Sequence, residues 1–288
     1  MESVPAPAAG AIDRVAPTRQ PDDRVVMRQN WNDLLFLHWQ APAEMLRPLV
    51  PANLEIDTFE GRAYVGLVPF SMTGVRPIWS PPVPLLSNFH ETNVRTYVHF
   101  RGANPGVWFF SLDAANAIAV RIARALWKLP YHFANMRLAH VQTANVALTA
   151  ASAKDPVAND EEPGKTTGKS GAVGSSTCID YSTRRLWPGP LPAACSVRYE
   201  PTGSIAAAAP GTIEHFLVER YILYAGDNER LFSGRVNHPP YPLQSATVHS
   251  LTENLLAAAG IIRGDRPPLA HYAHGVHVRV FPLRPVRL

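Results

Sequence analysis

Lysine is scarce in this chain. Only Lys128, Lys154, Lys165 and Lys169 occur in 288 residues, and every other basic residue is arginine. Any Schiff-base chemistry must use one of those four amines. Cysteine is scarcer still. Cys178 and Cys195 form neither a CxxC pair nor a zinc spacing, and they read as two small buried side chains of a reducing compartment. No run approaches the roughly 18 uncharged apolar residues that a membrane-spanning helix needs. The first 23 residues lack the basic patch and apolar stretch of a secretory signal. Both absences point to the cytoplasm and away from a membrane partner. Charge of one sign is lacking too. Twenty-seven Lys and Arg stand against 23 Asp and Glu, a net +4, and the arginines are scattered singly, which argues against nucleic acid as a partner. There is no GxSxG, GxGxxG or EF-hand pattern. GKTTGKS at 164–170 resembles a phosphate loop, but Pro163 stands where that motif needs its first Gly.

What the chain does have is apolar material, 46% of its residues, enough for a substantial core. Residues 1–23, rich in Pro, Ala and Asp, read as a flexible arm. Residues 24–288 read as a single domain, interrupted at about 153–176 by a Gly-, Ser- and Lys-rich stretch expected to be a mobile surface insertion between strands. Strands are expected at Val25–Trp31, Leu34–Trp39, Arg62–Phe70, His90–Phe100, Val107–Leu112, Met136–Leu148, Thr177–Arg184, Cys195–Glu200 and Gly275–Phe281. A hairpin is expected from Arg220–Ala225 and Arg230–Val236 around Gly226-Asp227-Asn228. Helices are expected at Pro42–Leu49, at Asp113–Trp127 with Asp113 as cap, at Thr212–Glu219 and at Gln244–Ala259, closed by Gly260. Arg62–Phe70 is apolar on both alternations, which predicts burial of both faces. Runs of strands with isolated helices point to an α+β fold with a mostly antiparallel sheet.

The segment His90–Phe100 carries the most chemistry. Alternate residues of a strand share a face, so Glu91, Asn93, Arg95, Tyr97 and His99 fall together. Five hydrogen-bonding side chains in a row are either a solvated sheet face or the polar wall of a cavity. In a cavity, Arg95 would pair with a substrate carboxylate. After the expected helix Asp113–Trp127, Tyr131 and His132 follow Pro130; His132 is a candidate general base, or the two rings simply pack and hydrogen-bond locally at the helix exit. Asn237–Leu243 is a stiff, Pro-rich connection, either one lip of a pocket with His238 on it or simply a rigid loop. His271, His274 and His277 are spaced by three, but the alternation of Gly275–Val280 separates them, so no metal site is assigned.

The strings WNDLLFLHW, LRPLVPANLEID, GRAYVGLVPF, ETNVRTYV, GVWFFSLDA, ARALWKLPY and HPPYPL together resemble the YqjF-like family of unknown function, over roughly residues 25–283. That family is similar to the acetoacetate-decarboxylase-like superfamily. The resemblance implies a strongly curved, mostly antiparallel β-structure, cone- or barrel-like, that encloses a pocket and carries a few flanking helices. Leu46–Asp57 is similar to the L-x-x-V-V-P-x-x-L-E-I-D string of the decarboxylases. Glu91 matches their carboxylate, and Ala117–Val120 matches their A-I-A-V. Their nucleophilic lysine position is Tyr131 here, with His132 beside it, and a second acid expected in the Arg62–Phe70 strand is absent. Tyrosine forms no imine, so the resemblance implies a protein that is not an acetoacetate decarboxylase. Three readings follow. The first is a binding protein for a small organic molecule, without cofactor, in which Arg95, Asn93, Tyr97 and His238 hold the ligand. The second is a lyase- or hydrolase-type enzyme for a small anionic substrate, with Tyr131, His132 and Glu91 as acid–base groups. The third is a structural or oligomerisation module whose polar strand face meets water. A homo-oligomer is implied by the superfamily resemblance alone.

Overall fold

The computed structural model describes residues 12–143 and 176–287. Residues 1–11 of the expected arm, the expected insertion up to residue 175 and the end of the strand expected over Met136–Leu148 lie outside the described residues. Residues 12–23 lie against the body. Arg14 pairs with the buried Asp57, Arg235 donates to the Pro17 carbonyl, and Asn237 donates to that of Thr18.

The strands are β1 (Met27–Ala41), β2 (Glu55–Ile56), β3 (Ala63–Pro77), β4 (Phe89–Phe100), β5 (Ala103–Ala114), β6 (Tyr131–Thr143), β7 (Ser176–Trp187), β8 (Ala194–Ala206), β9 (Ile222–Gly226), β10 (Leu231–Asn237), β11 (Leu243–Glu253), β12 (Leu269–Val280) and β13 (Arg284–Pro285). The helices are α1 (Ala43–Leu46), α2 (Ala117–Trp127), α3 (Ile213–Val218) and α4 (Leu255–Ala258). Among the described residues, all thirteen strands form one sheet, antiparallel except where β5 pairs with β6 and β9.

The sheet closes on itself twice. One ring runs β1-β3-β4-β5-β6-β7-β8-β11-β12 and back to β1. A second, smaller ring leaves β5 through β9 and β10 and rejoins at β12. Strands β12, β1, β3, β4 and β5 are therefore a wall common to both rings. This explains the doubly apolar strands read from the sequence. On β1, Leu35, Leu37 and Trp39 pack with Ile179, Tyr181, Val197 and Tyr199 in the larger ring. The alternating Leu34 and Phe36 pack with Phe216, Leu217, Tyr241 and Val278 in the smaller one. Asp33, at φ 51°, bulges β1, so the two strands expected over residues 25–39 are one continuous strand. Helix α3, capped by Thr212 Oγ1, plugs the smaller ring with Phe216, Leu217 and Val218.

Two expected helices differ from the structure. Gln244–Ala259 is mostly β11, with only the four-residue α4 before Gly260. Pairing with β8 and β12 overrides its alanines, and its β-branched Thr247, Val248 and Thr252 suit a half-buried strand. Helix α2 begins later than expected and is capped by Asn116, whose Oδ1 accepts from the N–H groups of Ile118 and Ala119. Its apolar stripe Ile118, Ile122 and Leu126 is exposed rather than packed. Asp113 lies within β5, where it meets Arg185.

Candidate functional site

The polar row of β4 does not face water. Glu91, Asn93, Arg95, Tyr97 and His99 are each 8% exposed or less. Directly paired residues share a sheet face, so the Asn93–Leu112–Tyr131 and Glu91–Ala114–Phe133 pairings carry Tyr131 to the face of Glu91. There the Tyr131 hydroxyl donates to Glu91 Oε2 at 2.8 Å. Burial pushes the Glu91 carboxyl up to about 8, although the Tyr131 hydrogen bond opposes the rise. Burial, with Glu91 beside it, also raises the Tyr131 phenol well above its ordinary value. At neutral pH the pair holds its protons and is a neutral hydrogen-bonding unit.

Farther along the same face, Arg95 and Tyr97 grip the end of α3. Arg95 Nη2 and the Tyr97 hydroxyl both donate to the Leu217 carbonyl, at 3.1 and 2.7 Å. Arg95 also lies against the rings of Phe36 and Tyr97. Tyr97 Oη is 2.6 Å from His38 Nε2. The Tyr97 proton is committed to Leu217, so the His38 Nε2–H is the donor to Tyr97, and His38 Nδ1 is an open acceptor. Burial, with Arg95 nearby, drives the His38 pKa well below its ordinary value. Gly66 makes room for this ring, since a Cβ there would sit 3.0 Å from it.

His238 is 4.5 Å from the rings of Tyr221, on which it stacks, and Tyr241. Its Nδ1 meets the Pro239 carbonyl, and burial lowers its pKa to about 4. Beside it, Glu219 accepts from the Tyr221 hydroxyl and the Tyr241 N–H.

His132 is not part of this constellation. It pairs with Asp113, which in turn pairs with Thr92, on the opposite face from Glu91 and Tyr131. Its Nδ1 meets the Pro188 carbonyl, and burial with Arg185 nearby lowers its pKa. On that face Arg185 makes a two-pronged ion pair with Asp113, at 2.7 and 3.0 Å, and Thr92 Oγ1 lies 2.5 Å from the Tyr181 hydroxyl. Tyr131 and His132, the alternative acid–base candidates beside Glu91, are therefore divided by the sheet, and only Tyr131 meets Glu91.

Sequence reasoning did not single out His38, Asp57, Asp113, Arg185, Glu219 or Arg220 as site residues. His38 left a signal, as the one polar residue between apolar neighbours in LLFLHW. The Asp57–Arg220 and Asp113–Arg185 pairs join residues distant in the chain and left none. Lys128, the amine nearest Tyr131 in sequence, caps α2 in a left-handed conformation at φ 52° and extends over the Phe232 ring, 5.5 Å from its centre. His271, His274 and His277 lie along β12, so the spacing that would align them on a helix does not apply.

An open cleft of about 520 Å³ lies at the surface, lined among others by Trp108, Phe110, Arg124, Lys128 and Tyr224. It reaches Pro130 but not Glu91, Arg95 or Tyr131. Among the described residues, no helix is long and apolar enough to cross a membrane.

Comparison with known proteins agrees with this architecture. Residues 28–277 match the family model DUF2071, described as an uncharacterized conserved protein. The chain is 34% identical over 264 residues to the uncharacterized protein YqjF of Bacillus subtilis (strain 168), a match covering 92% of this chain and 94% of YqjF. Among solved structures it is similar to an acetoacetate decarboxylase from Legionella pneumophila, with TM-score 0.55, 10% identity and coverage of 99% and 93% of the two chains. It is also similar to an acetoacetate decarboxylase-like enzyme from Sphingomonas wittichii RW1, with TM-score 0.53, 11% identity and coverage of 92% and 94%. A third is the enduracididine biosynthesis enzyme MppR complexed with pyruvate, with TM-score 0.53, 13% identity and 91% of both chains covered. At these identities the structural likeness shows the fold alone. The chain thus belongs to the DUF2071 family, whose YqjF sequence it follows over nearly its whole length, and it carries the acetoacetate-decarboxylase-like fold.

Proposed function

We propose that the protein binds a small organic acid against the β4 face, with Arg95 as anion anchor and the neutral Glu91–Tyr131 pair as the proton-holding end of the site. One observation carries this reading. Asn93 Oδ1, Arg95 Nε, His38 Nδ1 and His238 Nε2 are buried polar atoms on this side of the molecule without hydrogen-bond partners among the described residues. Buried polar atoms are ordinarily satisfied, and leaving one bare costs about 1–3 kcal/mol. A ligand with a carboxylate for Arg95 and a donor group for Asn93 or His38 would satisfy them. A structural neighbour described as complexed with pyruvate supports the choice of a small carboxylate. Burial of the whole row argues against the module whose polar face meets water. The family resemblance puts Tyr131 at the lysine position and Lys128 lies over Phe232, so this reading expects no imine at either residue, and sodium borohydride with acetoacetate is expected to leave Lys128 unlabelled.

The test is calorimetric titration with a panel of small keto and hydroxy acids, pyruvate and acetoacetate included. Binding weakened at least tenfold by Arg95→Met supports the proposal. No binding across the panel, with no small acid released on denaturing the purified protein, overturns it.

A second reading has its own observation. A carboxyl that titrates near 8 is suited to proton transfer at neutral pH. The protein would then turn its ligand over with Glu91 and Tyr131 as the acid–base pair, and His132 would take no part. Turnover that Tyr131→Phe abolishes while binding survives favours this reading over binding alone.

A further inference from the structure

We propose that Cys178, Glu200 and His249 form a binding site for a zinc-like divalent cation on the outer side of the larger ring. The three residues come from β7, β8 and β11, neighbours in the sheet. Ile179 pairs with Tyr199, so the antiparallel register sets Cys178 opposite Glu200. On β11, Val248 pairs with Tyr199 and Ser250 with Arg198. His249 is therefore the extra residue of a β-bulge, a device that re-aims a side chain. Ile179 and Tyr199 point into the core, so Cys178 and Glu200 point the other way.

The ligand atoms of the three side chains all lie within 4.8 Å of one another, and His249 Nε2 is 3.4 Å from Glu200 Oε2. Two donors on one tetrahedral zinc, each at about 2.0–2.3 Å from the metal, are roughly 3.5 Å apart. The His–Glu pair already has that spacing, and the thiol reaches it by a small side-chain adjustment. A thiolate, an imidazole and a carboxylate are the donor types zinc takes, and together they select it over magnesium or calcium. Cys178 is buried, Glu200 half-buried and His249 exposed, so the fourth position opens to solvent and takes a water. The nearby positive charge of Arg198 is matched by a two-pronged ion pair with Asp180, at 2.6 and 2.7 Å. No other group of three such side chains converges among the described residues. Binding replaces the thiol proton by the metal, which leaves the protein one proton poorer and ties three strands together across the sheet. The inference is independent of the organic-acid site, which lies on the shared wall.

The experiment is titration of the untagged, metal-free full chain with Co(II), followed by displacement with Zn(II). The expected result is one Co(II) per chain, with a near-ultraviolet thiolate-to-cobalt charge-transfer band that zinc abolishes. Cys178→Ser should remove the band, His249→Ala should weaken binding at least tenfold, and Cys195→Ser should leave the band intact. His249 is exposed, so its replacement tests the site even where Cys178→Ser fails to fold. A wild-type chain without the band overturns the proposal. So does a band that survives Cys178→Ser, or zinc affinity unchanged in His249→Ala, which would leave only a surface His–Glu pair.

Discussion

Replacing Glu91 by glutamine tests the electrostatics of the site most directly. In the unfolded chain the carboxyl ionises near 4.5, whereas in the folded protein burial holds it protonated up to about 8. Between those values the unfolded state releases a proton that the folded state keeps, so raising the pH favours unfolding. The stability lost is about 1.4 kcal/mol for each pH unit of this interval, or roughly 3–4 kcal/mol from pH 5 to pH 8. The glutamine side chain keeps an oxygen to accept from Tyr131 and never ionises. Glu91→Gln should therefore gain on the wild type steadily as pH rises, by on the order of 3 kcal/mol over that range. The buried histidines titrate in the opposite sense, but they are common to both proteins and cancel in the difference. Urea unfolding at half-unit pH steps, with stability compared between the two proteins at each pH, measures the effect. Two parallel profiles, separated by a constant within about 0.5 kcal/mol, would refute the argument, because Glu91 would then ionise alike in both states.

Three further outcomes follow from other parts of the structure. Asp113→Ala strips the buried Arg185 of its partner and should cost about 3–5 kcal/mol in denaturant unfolding; a loss under about 1 kcal/mol would mean that water reaches the guanidinium. His238→Phe keeps the ring between Tyr221 and Tyr241 but removes a base whose folded pKa is depressed to about 4. A depressed histidine contributes stability that is present above about 6.5 and lost as pH falls toward 4, so the variant should lose roughly 3 kcal/mol less than wild type over that window, read from acid unfolding curves. Gly106→Ala would place a Cβ 2.6 Å from the Ile222 carbonyl and force apart the short parallel pairing of β5 with β9. It should cost about 1–3 kcal/mol and loosen amide-exchange protection in β9 before the rest of the sheet.

Much of the wall was legible in the chain itself. Arg62–Phe70 is apolar on both alternations because both its faces are covered, and this local pattern survives in any packing that buries them. The polar row from Glu91 to His99 was legible for the same reason, since strand alternation puts its members on one face whatever lies opposite. What lies opposite was not legible. The double closure of the sheet makes that face an interior one, and closure depends on pairings such as β10 with β12, which join residues far apart in the chain. Long-range pairing also decided β11. Its local sequence suits a helix nearly as well as a strand, and the ladders offered by β8 and β12 settled the choice. Tyr131 and His132 are neighbours in sequence, yet a strand turns successive side chains to opposite faces, so one meets Glu91 and the other faces Asp113 and Arg185. The chain alone determined which residues carry charge, rings and thiols, and which alternate. The tertiary structure decided which of them meet, as with Cys178, Glu200 and His249, because cross-strand register and a bulge set those distances and neither is written in any local run of residues.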